Sequence, residues 1–391
     1  MKKVEFDDEY FDMGINRMGT RCEKWDGMRE GAGDPEMMPF WVADMDFPSP
    51  PAVTQALLAR AAHPAYGYTE PEEDDYTAAA DFWRRRHGIS YTKDELTMLP
   101  CVITGLKLAI RVCTKPGDGV VVMSPVYGPF RFSVQATGRT TVTVPLVAGD
   151  DGRMRMDIPG ISRALAAGAR AVMLCNPHNP VGRCWTRAEL EELCACVSQY
   201  GATLISDEIH ADFVYPGFTF TPALEVMSER VVALFAASKT FNVAGLQQCM
   251  CACRDEALRT AIRQEVDATG VRCGNLFALE GTRVAYQEGD AWLDGLMHYL
   301  DGNRAEIARL VAQYLPKAIL HPMEATFLAW LDLRAYGLSE KEMLARCAKA
   351  HVRFSEGSFF GADGEGFLRV NIGCPRRFLE IAIQRLAGAL S

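Results

Sequence analysis

Val231-Val232-Ala233-Leu234-Phe235-Ala236-Ala237-Ser238-Lys239-Thr240-Phe241-Asn242 is an apolar run that ends in a lysine. Its first residues have the length and β-branched character of a buried strand. An ammonium at the end of such a strand is costly unless it is paired, deprotonated or consumed covalently. A Schiff base with an aldehyde cofactor would remove that cost and supply chemistry. A snorkelling lysine is the plain alternative, so the meaning of Lys239 depends on what accompanies it.

Two further segments accompany it. Ala171-Val172-Met173-Leu174 runs into Cys175-Asn176-Pro177-His178-Asn179-Pro180-Val181-Gly182, a stiff turn in which two prolines set φ. Ala202-Thr203-Leu204-Ile205-Ser206 ends in Asp207, followed by Glu208-Ile209-His210. An Asn, an Asp and a Lys thus each close a different apolar strand. In an open parallel sheet the carboxyl ends of the strands form the ligand edge, where these three side chains can meet.

This set resembles the fold-type I pyridoxal 5′-phosphate (PLP) enzymes of the aspartate aminotransferase superfamily, and the resemblance runs from Trp41 to Arg376. It implies that Lys239 is the Schiff-base lysine, that Asp207 pairs with the pyridine nitrogen and that Asn179 bonds the ring oxygen. An acid beside that nitrogen favours the pyridinium, the electron sink for a Cα carbanion. The same resemblance makes Tyr127 the aromatic stacked on the ring and Arg369 the clamp for the substrate carboxylate, a task suited to a planar guanidinium. It assigns phosphate binding to Thr104 and the Gly105–Leu106 amides at a helix start, with help from Ser238. Tyr68, in Tyr66-Gly67-Tyr68-Thr69-Glu70-Pro71, matches the tyrosine that reaches the neighbouring subunit's phosphate, with Tyr66 as fallback, so a homodimer with shared sites is implied. Tyr68 is also a candidate catalytic acid or base, and Ala43 a substrate contact.

Three positions depart from the common pattern. His210 stands where a tyrosine is usual, Gln247 where an arginine binds phosphate, and Ala236 where a serine does. With the motifs Trp41-Val42-Ala43-Asp44-Met45-Asp46-Phe47, Asn176 to Pro180, Ser206 to Asp212 and Asn371-Ile372-Gly373-Cys374-Pro375-Arg376, they are similar to the cystathionine β-lyase branch of MalY/PatB-type C–S lyases, with His210 near the cofactor. The resemblance implies β-elimination from cystathionine or a related cysteine conjugate. An aminotransferase on the same scaffold is the rival enzyme. A regulatory protein-binding role is the rival of another class.

Bulk properties agree with an enzyme of small molecules. The chain has 391 residues, 49% hydrophobic and 23% charged, which are globular values with room for two or three domains. A net charge of −9 argues against nucleic acid or an anionic membrane as partner. The first eight residues turn acidic at once and carry no apolar core of a signal peptide, and no stretch is long enough to span a bilayer, so a cytoplasmic location is expected. Thirteen cysteines show no disulfide or zinc spacing. Cys249, Cys251 and Cys253 alternate as on one face of a strand and read as small buried residues in a reducing compartment.

Alternating strand and helix signals from about Asp94 to Asp255 predict an α/β fold with a mostly parallel sheet. Thr186 and Glu189 predict a capping box that opens a helix to about Tyr200. A long helical pattern follows Asn275 to about Leu315. Thr326 to Leu331 and Gly366 to Ile372 then predict strands of a smaller α+β unit closed by a helix from about Pro375 to Leu390. The expected division is an N-terminal segment 1–45 packed on the small domain, a large cofactor-binding domain 46–285 and a small domain 286–391.

Overall fold

The computed structural model describes residues 5–27, 34, 36–271 and 274–391. Its strands are β1 (Met38–Phe40), β2 (Leu96–Leu99), β3 (Gly119–Ser124), β4 (Thr140–Pro145), β5 (Val147–Ala148), β6 (Met154–Arg155), β7 (Ala171–Cys175), β8 (Thr203–Asp207), β9 (Val231–Phe235), β10 (Cys249–Ala252), β11 (Ile319–Leu320), β12 (Leu328–Asp332), β13 (Val352–Glu356) and β14 (Phe367–Asn371).

The apolar runs assemble into one seven-stranded sheet of order β2-β10-β9-β8-β7-β3-β4. The pairs from β9 to β4 are parallel, and β10 alone runs against its neighbours. Every residue of β7, β8 and β9 is buried, as a parallel sheet covered on both faces requires. Alternate residues feed different cores. Val121, Met123, Val172, Leu174 and Leu204 join one, and Val120, Val122, Ala171, Met173 and Ile205 the other. The same period of two sends Cys249, Cys251 and Cys253 to one side and Met250 and Ala252 to the other.

The predicted capping box forms. The Glu189 N–H donates to Thr186 Oγ1 at 3.3 Å and the Thr186 N–H to Glu189 Oε2 at 2.9 Å, opening the helix Arg187–Gln199. The long pattern after Asn275 is two helices, Leu276–Glu288 and Asp290–Tyr314. The break falls at Gly289, where the Phe241 ring occupies the space a Cβ would need. The expected junction at 285/286 therefore lies inside the first of these helices.

The smaller sheet has the order β1-β13-β14-β12-β11, and the last helix is Arg376–Leu390. β1 pairs parallel to β13, so the N-terminal segment adds a strand to the C-terminal unit. Periodicity missed β1 because it is three residues with Pro39 at its centre, and β13 because Arg353, Ser355 and Glu356 interrupt its apolar residues. Ion pairs hold the segment further. Arg17 grips Asp44 through two bonds of 2.8 and 2.7 Å, and Lys24 Nζ, fully buried, lies 2.8 Å from Asp46 Oδ2. Trp25 Nε1 donates to Asp46 Oδ1 at 2.9 Å. No helix among the described residues is long and apolar enough to cross a membrane.

Candidate active site

Sheet register brings the strand-end residues together. Cys175 on β7 is opposite Asp207 on β8, and Asp207 is opposite Leu234 on β9. Beyond β9 the chain forms a single helical turn, Ala237–Thr240, which carries Ser238 and Lys239. Lys239 Nζ donates to Ala43 O at 2.7 Å. Burial lowers its proton affinity. Asp44 opposes that shift, Arg369 adds to it, and Asp207 and Glu23 oppose it more weakly.

Asp207 is buried, and burial pushes its carboxyl up to about 7 against the Ile209 N–H and the Lys239 charge, which lower it. The Ile209 N–H reaches Oδ1 at 3.1 Å. His210, three residues on, packs against Phe213 and Phe327 and leaves Nδ1 unpartnered. Burial first, then Lys239 and Arg369, depress it to about 3, so its imidazole is neutral at pH 7.

Arg369 on β14 is buried and pairs with no carboxylate among the described residues. Its Nη1 donates to Asn179 Oδ1 at 3.1 Å, and its Nη2 to Trp41 O at 2.6 Å and Ser355 Oγ at 3.1 Å, while Nε has no partner. Its plane lies over the Phe360 ring at 4.9 Å. Burial lowers its pKa to about 10, with Tyr127 and Glu356 opposing. A buried cation with an unpartnered Nε–H and no counter-ion suits an anion. Tyr127 is half-buried beside it. Its backbone N–H donates to Asn179 O at 3.2 Å, and its phenol is raised by burial while Arg369 opposes.

The helix Val102–Cys113 begins with Cys101 as its N-cap. The Gly105 N–H donates to Cys101 O at 3.1 Å, so it is already engaged in the helix. This corrects the expected anion turn. The amides without an intrahelical acceptor are those of Val102, Ile103 and Thr104, one to three residues before Gly105. Gly105 is a glycine for packing, since a Cβ there would sit 2.6 Å from Leu234 Cδ2. Leu106 is core. Thr104 Oγ1 lies 3.3 Å from Cys101 Sγ. Ala236, the N-cap of the Lys239 turn, has no side-chain donor, and Gln247 is exposed in a left-handed conformation at φ 57°.

Tyr68 does not enter this site. It is fully exposed on the stretch without regular secondary structure after the helix Pro51–Ala62. Tyr66 is also exposed, its hydroxyl donating to Ala61 O at 2.8 Å.

A family profile, aminotransferase class I and II, matches residues 35–386. The chain belongs to that family. Within it, the chain is 37% identical over 386 residues to cystathionine beta-lyase PatB of Bacillus subtilis (strain 168), covering 97% of this chain and 100% of that one. It is 31% identical to protein MalY of Escherichia coli (strain K12), covering 97% and 98%. Among solved structures, cystalysin from Treponema denticola, which contains pyridoxal 5′-phosphate, superposes with a TM-score of 0.92 at 30% identity, covering 96% and 97%.

In this member of the aminotransferase class I and II family, sequence reading passed over the residues that hold the site from behind. Asn371 Nδ2 donates to Val42 O and Asp44 O, both at 2.6 Å. Asn242 Oδ1 accepts from the Met45 N–H at 3.0 Å, and its Nδ2 donates to Met45 O and Phe47 O at 2.9 and 2.8 Å. Ser355 Oγ donates to Trp41 O at 2.8 Å. Asn371 and Asn242 lie in quoted motifs and could have been suspected as polar residues in apolar runs. Ser355 left no signal.

Proposed function

We infer that the protein is a PLP-dependent carbon–sulfur β-lyase that cleaves cystathionine or a related cysteine S-conjugate to a thiol, pyruvate and ammonia. The full-length match to a cystathionine β-lyase carries this reading. The geometry suits the cofactor. An under-bonded acid at Asp207, an amine on Lys239 weakened by burial, and free amides at Val102–Thr104 are the groups a pyridine nitrogen, an aldehyde and a phosphate require. Asn179, Tyr127, Ser238 and Thr104 lie on the elements around them, with His210 behind Asp207. Bound PLP supplies an aldehyde for the substrate amine and a ring that accepts the electron pair left at Cα.

The chain's own residues do the rest. Arg369 binds the substrate carboxylate and fixes the amino acid's orientation. Asp207 ionises when a cation is placed beside it. Lys239, its basicity lowered by burial, takes the proton from Cα. Ala43 O holds the Lys239 amine at 2.7 Å, which directs where that proton is taken. Sulfur leaves as a thiolate, a leaving group that needs little help from an acid. With cystathionine and no keto acid, pyruvate should form at a rate well above that of alanine plus a keto acid. The opposite order would make the enzyme an aminotransferase.

The active unit we propose is a homodimer in which Tyr68 serves the partner's site. Its support is a fully exposed tyrosine on a segment without regular secondary structure, with residues 61–68 all exposed. Mixing Lys239→Ala with Tyr68→Phe subunits should give hybrid dimers with one intact site, and activity above either parent. No gain despite proven subunit exchange would place Tyr68 outside the partner's site. We propose the division 1–45, 46–285 and 286–391 as the domain plan, supported by β1 joining the small sheet and by the large sheet lying within 96–252. Region-resolved hydrogen exchange tests it. A cytoplasmic location fits the twelve described cysteines, all free thiols, and cell fractionation would check it.

A further inference from the structure

The Lys239 turn has only four residues, Ala237–Thr240. One turn cannot hold itself, because fixing its backbone gains too few hydrogen bonds. Its orientation must come from ties to its surroundings. Asn242 provides one tie, to the 45–47 backbone. Phe241 provides packing, fully buried against Phe82, Tyr286 and Trp292. Ser49 Oγ donates to Asn242 O at 3.0 Å and Lys239 Nζ to Ala43 O at 2.7 Å. A further tie lies next to the lysine. Thr240 Oγ1 donates to Asp212 Oδ2 at 2.6 Å, and the other carboxylate oxygen, Oδ1, lies 2.9 Å from His87 Nε2.

This chain is buried. The Asp212 and His87 side chains are 6% and 7% exposed, and Thr240 is 1% exposed. His87 is caged by Trp83 at 4.6 Å and Phe220 at 5.1 Å. Among the described residues, Asp212 has no Lys or Arg within ion-pair distance. A carboxylate buried in that way is costly, and an apolar residue would fill the volume at less cost. The cost is borne at one location of consequence. Asp212 sits five residues after Asp207 on the loop that leaves β8, and Thr240 follows Lys239 directly. Local hydrogen bonds brace the loop between, with the Ile209 N–H on Asp207 Oδ1, the Ala211 N–H on Glu208 O and the Phe213 N–H on His210 O.

We propose that Asp212, held by His87, is a positioning residue that sets the placement of Lys239 relative to Asp207 through the Thr240 hydroxyl. The inference rests on the assignment of Lys239 and Asp207 to the cofactor. It adds a reason for the acid that closes the Ser206–Asp212 motif. Asp212 touches neither substrate nor cofactor, and its effect passes through the geometry of the lysine turn.

The test uses holoenzyme of the wild type and of Thr240→Val and Thr240→Ser. Valine keeps the shape and loses the hydroxyl, and serine keeps the hydroxyl. Three quantities are read: kcat and KM with cystathionine, the pH midpoint of the visible absorbance of the lysine-bound cofactor, and the thermal midpoint. Thr240→Val should lower kcat by about tenfold or more while KM changes by less than about twofold, as misplacement of a reacting group does. Its absorbance midpoint should move, and Thr240→Ser should restore both readouts. Equal losses in Val and Ser, or a Val variant matching wild type in kcat and midpoint, would overturn the proposal. Should Thr240→Val fail to fold, Asp212→Asn removes the charge at constant shape. A moved absorbance midpoint with lowered kcat supports the proposal, and no change in either refutes it. If the wild type lacks lyase activity, the function is wrong, but the absorbance midpoint still decides the role of Asp212.

Discussion

Lys239→Ala is expected to abolish turnover of cystathionine, with a loss in kcat of roughly 10⁴-fold or more, the upper end of what one general base contributes. The loss should be this large because one side chain does two tasks. In the proposed reading it anchors the cofactor covalently and takes the Cα proton. The observed environment prepares it for both. Burial weakens its hold on a proton, and Ala43 O receives its Nζ at 2.7 Å. Treating the wild-type holoenzyme with borohydride and mapping the peptides should place a pyridoxyl group on Lys239. A label on another lysine, or none on cofactor-loaded protein, would remove the foundation of the functional reading. Protein folding should survive the substitution, because the buried Asp207 carboxyl, already pushed up to about 7, can take up a proton once the Lys239 charge is gone.

Arg369→Ala is expected to cost roughly 2–4 kcal/mol in kcat/KM, because a carboxylate entering a buried site would find no partner. The structure gives this estimate its footing. The guanidinium is out of water, faces no carboxylate among the described residues, and has its Nη groups fixed by Asn179, Trp41 and Ser355. In the proposed reading it receives an anion in a set orientation. Cofactor absorbance should persist, which separates loss of substrate binding from loss of cofactor. Unchanged kinetics would show that the carboxylate binds elsewhere. Arg369→Lys should recover little, because a point charge cannot form two parallel bonds to a carboxylate.

The strand-end acid and lysine, the Asn-Pro turn, and the arginine on an apolar strand were all legible before any coordinates. Each is a polar group closing or interrupting a buried apolar run, and such groups are rare without a task. The parallel sheet followed from the same runs, because strands buried on both faces read as continuous apolar stretches. β1, three residues centred on Pro39, and β13, whose apolar residues are interrupted by Arg353, Ser355 and Glu356, were not legible. Their place comes from pairing with each other and with β14.

The anion turn shows where linear reading fails. Thr104 and Gly105 look like a phosphate turn because small and hydroxyl residues often stand there. Only the hydrogen-bond pattern reveals that the helix begins at Val102 and that Gly105 is small to admit Leu234. A glycine has several physical reasons to exist, and sequence does not distinguish a close ligand from a close neighbour. The same limit hid Asn242, Ser355 and the Thr240–Asp212–His87 chain. The partners in that chain stand 28 and 125 positions apart. What the amino-acid sequence determined by itself was the fold class, the family resemblance and which groups are candidates for chemistry, because unusual residues in apolar settings mark themselves. What only the tertiary structure decided was which backbone amides stay free and which remote side chains hold the lysine in place. Those depend on distances between segments far apart in the chain, and no local pattern encodes a distance.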